Sequence, residues 1–237
     1  MRTLWNRFAL LVLVGALSGF GLAAQNQPDS SNKDRGPQQR LQSASEILTS
    51  MTSPAASAGI PKAVINDAKC IAIVPGMLKG AIGIGVHHGD GVATCRTQTG
   101  WSAPAFFQLS GVSFGPQIGG QKTDLIMMVM NEDGMNGLMS GKFKLGANAS
   151  VAAGPVGRQA EASGGWKAAI LSYSRSKGAF VGVDVNGAVV QADNDAMKQF
   201  YSQDVTFSQA LKGGVQPPAA AQAFLNSVQQ AHQVAAE

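Results

Sequence analysis

In CIAIVPGMLKGAIGIGVHHGDGVATCRT, residues 70 to 97, the pattern of the chain changes from helix to strand. It opens on a compact β-branched run, Cys70-Ile-Ala-Ile-Val74, which Pro75 closes. Residues 80–86 and 91–97 then flank His88-Gly89-Asp90-Gly91, and strand-like runs around such a turn predict a β-hairpin. Glycines inside strand patterns mark bulges, bends or close approach of another backbone. With 29 glycines in 237 residues, about 12 % against a usual ~7 %, such positions recur often enough to predict a strongly curved sheet or a partly closed barrel.

Further strands are predicted at 101–114, 125–130, 142–151 and 168–174. Residues 180–185 and 188–192 are joined by Asn186-Gly187, a strong two-residue hairpin signal. Helices bracket this β-rich middle. Leu41, Ala44, Leu48 and Met51, with Ile47 beside them, form one apolar stripe at helical spacing, ended by Pro54. Pro61 opens a short second helix with Val64, Ile65 and Ala68 on its apolar face. Residues 132–139, weakened by Gly134 and Gly137, read as helix, as do 194–201 and 208–211. Pro218 begins a last helix with Ala221, Phe224, Leu225 and Val228 on one side. The predicted class is α+β: a Gly-rich, mostly antiparallel curved sheet or partly closed barrel, bracketed by N- and C-terminal helices.

The first residues address the compartment. Arg2 and Arg7 precede an apolar run at 8–17, and small residues including Ala23 and Ala24 follow. This is the three-part pattern of a secretory signal peptide over residues 1–24, cleaved near Ala24. The expected location is periplasmic or secreted. Residues 25–38 are polar and read as a disordered tether, leaving 39–232 as one domain. Removing Arg2 and Arg7 leaves 16 basic against 14 acidic residues, a net charge of +2 instead of +4. That excess is too small for a nucleic-acid binder, so any anion site must be a local patch. Cys70 and Cys95 can pair in an oxidising compartment or sit as small core residues.

Catalytic motifs are weak. Gly111-Val-Ser113-Phe-Gly115 matches a nucleophile elbow, but Pro116, Gly119 and Gly120 follow where that motif needs a helix. Gly83-x-Gly85 enters a hairpin and lacks the helix N-terminus that would receive a phosphate. His87 and His88, adjacent in a strand, point to opposite faces and cannot easily share one metal. The expectation is no enzyme, no cofactor and no metal.

The run 145–158, LGANASVAAGPVGR, holds no acid and ends on a Gly-Pro bend followed by Arg158. A rigid turn with one permanent cation suits an anion better than bond-breaking. Arg175 and Lys177 share a strand face by alternation, as do Lys142 and Lys144.

In order and spacing, several motifs together resemble the SYLF-domain family. They are Ile60-Pro61, Ala68-Lys69-Cys70-Ile-Ala-Ile-Val-Pro75, Gly83-x-Gly85, Gly89-x-Gly91-Val92 and Trp101-Ser-x-Pro104. Gly115-x-Gln117-Ile-Gly119 with Asp124, the 145–158 run and Tyr173-Ser-Arg-Ser-Lys-Gly178 complete the set. The family usually carries an acid where Asn148 stands. The resemblance implies binding of acidic phospholipids through an amphipathic N-terminal helix and nearby basic residues, with actin binding in fungal and animal members. Carried onto this chain, the helix would present Arg40, Leu41, Ile47, Leu48 and Met51, with Lys62 and Lys69 near it. Arg158, Arg175 and Lys177 would add phosphate contacts. The expected partner is an anionic phospholipid membrane. The alternative is a structural or protein-interaction module of the cell envelope, with an envelope protein as partner.

Overall fold

The structure is a computed structural model and describes residues 36–51, 59–156, 166–176 and 179–236, with the backbone alone for residues 51, 80–85, 113–121, 176, 179 and 180. The chain divides into two compact units, Met1–Ser30 and Ser31–Glu237, and every described residue lies in the second. The predicted leader, and the predicted tether up to residue 35, lie outside the described residues; Pro37 and Gln38, assigned to that tether, belong instead to the first helix.

Two long strands build the sheet, β1 (Cys70–Thr97) and β3 (Ala105–Val129). They pair antiparallel from Cys70 opposite Val129 to Ala93 opposite Ala105. Between them lies the short β2 (Gly100–Trp101), paired to the end of β1. Drawn straight at about 3.3 Å per residue, the strand from Cys70 to Cys95 would span roughly 80 Å. Instead their Cα atoms are 4.0 Å apart and a disulfide joins them. The Arg96 N–H also donates to the Lys69 carbonyl at 2.8 Å. The ribbon has therefore folded back on itself. Register shifts between Val74 and Met77 and between Ile82 and Ile84 interrupt the ladder, with Gly76 at φ +58° in the first.

This corrects the hairpin expected at His88–Gly91. Residues 80–86 and 91–97 are one strand, and Gly89 is not a turn residue. A methyl group at Gly89 would lie 2.4 Å from Val74 Cγ1 and 3.2 Å from the Met77 backbone. The glycine is there because the two arms of the ribbon press together at that point. Nor does Pro75 close its strand, which passes through the bulge.

The remaining strands dress the two arms of β3. On one arm, β6 (Ile170–Ser176) pairs with residues 124–129, and carries β5 (Val151–Ala153) in parallel and β7 (Ala179–Gly182) antiparallel. On the other, β8 (Val189–Ala192) pairs with residues 107–110 and with β4 (Lys142–Lys144). The Asn186-Gly187 turn, with Gly187 at φ +84°, therefore links strands with different neighbours, and no β7–β8 hairpin forms. The sheet is mostly antiparallel and strongly curled, and the fold is α+β as expected.

Helices form where caps and apolar faces agree. They are α1 (Pro37–Met51), α2 (Lys62–Asp67), α3 (Glu132–Met139), α4 (Asn194–Tyr201), α5 (Phe207–Leu211) and α6 (Gln222–Ala236). Asn131 caps α3 by accepting from the Gly134 N–H, with Glu132 and Asp133 favourably placed in the first turn. Gly134 does more than weaken α3: a methyl there would meet the Ala169 carbonyl at 2.6 Å, so its absence lets the helix lie against the entry to β6. Thr206 and Gln209 form a capping box on α5. The core holds Ile71, Ile73, Phe106, Phe107, Leu125 and Tyr173 from the sheet, closed by Ile47 and Leu48 of α1 and Phe224 of α6.

Candidate functional site

Helix α1 carries most of the predicted lipid contacts, and its apolar stripe faces inward. Leu41, Ala44, Ile47 and Leu48 are all at or below 3 % exposure. Arg40, also buried, points its guanidinium at the Asp193 carboxylate at 2.7 Å, with Asp90 at 3.7 Å. Asp193 uses its other oxygen to cap α4 through the Ala196 N–H. At the opposite end of α1, Arg175 donates to Ser50 Oγ at 2.7 Å and to Asp124 Oδ2 at 2.9 Å. Asp124 also accepts from the Gly76 N–H at the ribbon's first bulge. One arginine thus secures each end of the helix to the sheet.

Four of the expected lipid contacts, Arg40, Leu41, Ile47 and Leu48, are thus buried in the packing of α1 on the sheet. An apolar stripe at helical spacing is equally the signature of a helix packed on its own core, and here the core has it. Arg175 is likewise committed, being half-buried in the Asp124 pair. Lys69 pairs with Glu132 at 2.8 Å across an exposed surface. Lys62 is exposed at the start of α2. Arg158, Lys177 and the side chain of Met51 lie outside the described residues. Arg40 and Arg175 sit at opposite ends of α1, each bound to a carboxylate.

Beneath α2, Arg96 donates to the carbonyls of Ala68 and Asn66 and stacks 5.1 Å from the Trp101 ring centroid. His232 of α6 meets the same Trp101 edge-on, and burial and the nearby Arg96 lower its pKa. Tyr173, in the middle of β6, is fully buried with no hydrogen-bond partner for its hydroxyl, and burial pushes its pKa far up. In the 145–158 run, Asn148 accepts from the Lys144 N–H at 2.8 Å and closes a turn. Gly154 lies on the face of Tyr173, where a methyl group would overlap the ring.

Solvent-facing apolar side chains, which the sequence reading did not single out, occur elsewhere. Among the described residues the large exposed ones are Leu78, Val86, Val112, Val156 and Val181. Val86 and Val112 are direct cross-strand partners on the β1–β3 ribbon, and Leu78 opposes Lys122 on the same ribbon. Lys79 adjoins them; burial lowers its pKa, and burial and Lys79 together lower that of His87. A sequence signal existed: no charged residue occurs from Ala105 to Gln121.

The backbone geometry of a nucleophile elbow is not formed at Ser113. Ser113 lies mid-strand, paired with Gly85, and β3 continues through Val129 with no helix after it. Among the described residues no His, Cys, Asp and Glu cluster could hold a metal ion. A groove of about 420 Å³ between α1 and α6 is lined chiefly by Leu41, Ser45, Thr49, Ala223 and Phe224, with Glu46 as its charged group, a poor match for phosphate. No helix among the described residues is long and apolar enough to cross a membrane.

Fold and site together define an α+β domain in which a self-folded two-stranded ribbon carries the sheet and internal ion pairs fasten the helices. The chain belongs to the Ysc84/SYLF family: residues 110–231 match the family model described as Ysc84, Las17-binding protein actin regulator. It is 37% identical over 188 residues to SH3 domain-containing protein PJ696.02 of Schizosaccharomyces pombe, covering 75% of this chain and 44% of that protein. Protein YSC84 of Saccharomyces cerevisiae is 35% identical over 192 residues, 77% of this chain and 41% of that protein. SH3 domain-containing YSC84-like protein 1 of Homo sapiens is 31% identical over 167 residues, 69% of this chain and 48% of that protein. The chain thus spans less than half the length of each of these relatives. No solved structure matches it.

Proposed function

We infer that the protein is a non-enzymatic module that binds anionic phospholipid at a membrane surface, in the periplasm or outside the cell once a leader ending near Ala24 has been removed. One observation carries this reading: Leu78, Val86 and Val112 are exposed on a single ribbon that also bears Lys79 and Lys122. Apolar side chains enter the headgroup boundary, and each cation near an anionic surface adds about 1 kcal/mol. Family membership supports the reading as far as the SYLF resemblance implies phospholipid binding. In a bacterial envelope the abundant anionic lipids are phosphatidylglycerol and cardiolipin.

Flotation with vesicles of phosphatidylcholine, alone and with phosphatidylglycerol, tests it. Recovery with the anionic vesicles only is expected, and equal recovery from both rejects charge-dependent binding. The family description favours a second reading, a protein-interaction module, because it names a Las17-binding protein. Crosslinking on intact cells that yields one discrete protein partner, with no flotation, would favour that reading.

A further inference from the structure

From Gly80 to Gly89 the only ionisable side chains are those of His87 and His88, and from Ala105 to Gln121 there are none. β1 and β3 bring these stretches side by side, with Ile82 opposite Ile118, Ile84 opposite Phe114 and Val86 opposite Val112. β8 leaves β3 at Ser110, and β6 joins it only at Asp124. Between those points β1 is the sole partner strand of β3 among the described residues. A two-stranded ribbon is marginal in water on its own and gains stability when a face is covered.

At its root the side chains are apolar and solvent-facing, Val86 and Val112 at 56% exposure each and Leu78 at 36%. Lys79 and Lys122 flank them, one on each strand. Of the acids near this root, Asp90 and Asp124 are paired with Arg40 and Arg175. Asp184 accepts from the backbone and side-chain N–H groups of Asn186 in its own loop.

We propose that this ribbon, and not α1, enters the anionic lipid surface, with its uncharged middle at the headgroup–acyl boundary and Lys79 and Lys122 among the phosphates. The proposal rests on the lipid-binding reading above and assigns its location. The lysines favour a lipid over a second copy of the chain, because two such ribbons would bring like charges together, whereas phosphate neutralises them. Backbone groups along the ribbon's outer edges need polar partners, so the ribbon stops at the boundary and does not span. Helix α1 stays docked, held by Arg40, Arg175 and its buried stripe.

The full chain and the same two vesicle types test this. Val86→Asp and Val112→Asp change side chains already more than half exposed, so thermal melts of both variants should overlay the parent. Binding to phosphatidylglycerol vesicles is expected to weaken at least about tenfold in each. In Val112→Trp, tryptophan emission should shift to the blue on anionic vesicles and be quenched by lipids brominated near the headgroup. Amides 41–48 of α1 should keep their protection from hydrogen exchange in the bound state. Parent-like binding by both Asp variants overturns the ribbon proposal while the lipid reading stands. Loss of α1 protection on binding overturns it in favour of the helix. A parent protein that ignores both vesicle types overturns the lipid reading and the ribbon with it.

Discussion

Without the Arg40 guanidinium, the largely buried carboxylates of Asp193 and Asp90 would have lost their shared cation. Removing one partner of a buried pair typically costs about 3–5 kcal/mol, so Arg40→Ala should lose that much in urea denaturation. Arg40→Met combined with Asp193→Asn should recover only part of it, since Asn can still cap α4 while Asp90 still loses the cation. A loss under about 1 kcal/mol for Arg40→Ala would show that the pair is not formed in solution. Tyr173 presents the opposite case, a hydroxyl buried without a partner. Tyr173→Phe removes that unsatisfied group and should stabilise by about 1 kcal/mol; a comparable loss would reveal a partner for the hydroxyl. Neither feature was legible in the sequence. Arg40 bonds a residue 153 positions away, and no local pattern reports a contact at that separation. Periodicity marked Leu41, Ile47 and Leu48 as one stripe, but spacing alone does not distinguish a membrane from the protein's own interior.

At the scale of elements, helices with strong local signals were the legible ones. α3 and α4 run as read, 132–139 and 194–201, because Asn131 and Asp193 each cap a helix start. The long strands were misread for a physical reason. Glycine and aspartate at Gly89-Asp90 are the currency of turns, but they also occur where two backbones must touch, and composition does not separate the cases. The disulfide follows from the same folding-back, since it clamps the two ends of β1. Closing a 25-residue separation contributes about 3.5 kcal/mol by loop entropy. Reduction, or paired Cys70→Ser and Cys95→Ser changes, should lower the unfolding free energy by about that amount. An unchanged urea midpoint under reductant would mean the bond contributes nothing in solution.

At the scale of the whole molecule, the docking of α6 ties stability to pH. Burial, then Arg96, keep His232 neutral in the fold, whereas in the unfolded chain it takes a proton near pH 6.5. The unfolded state therefore binds more protons, and stability falls as pH drops below about 6.5. His87 adds a contribution of the same sign. The urea midpoint should fall between pH 7.5 and pH 5.5, and by less in His232→Gln; an equal fall in parent and variant would remove His232 as a cause. The closed β1 strand has a mechanical corollary. A strand whose two ends are covalently stitched cannot have its limbs parted at the base while the bond is intact. A sideways load that would splay the limbs is borne by the sulfur bridge, and the base keeps its width until that stitch is cut.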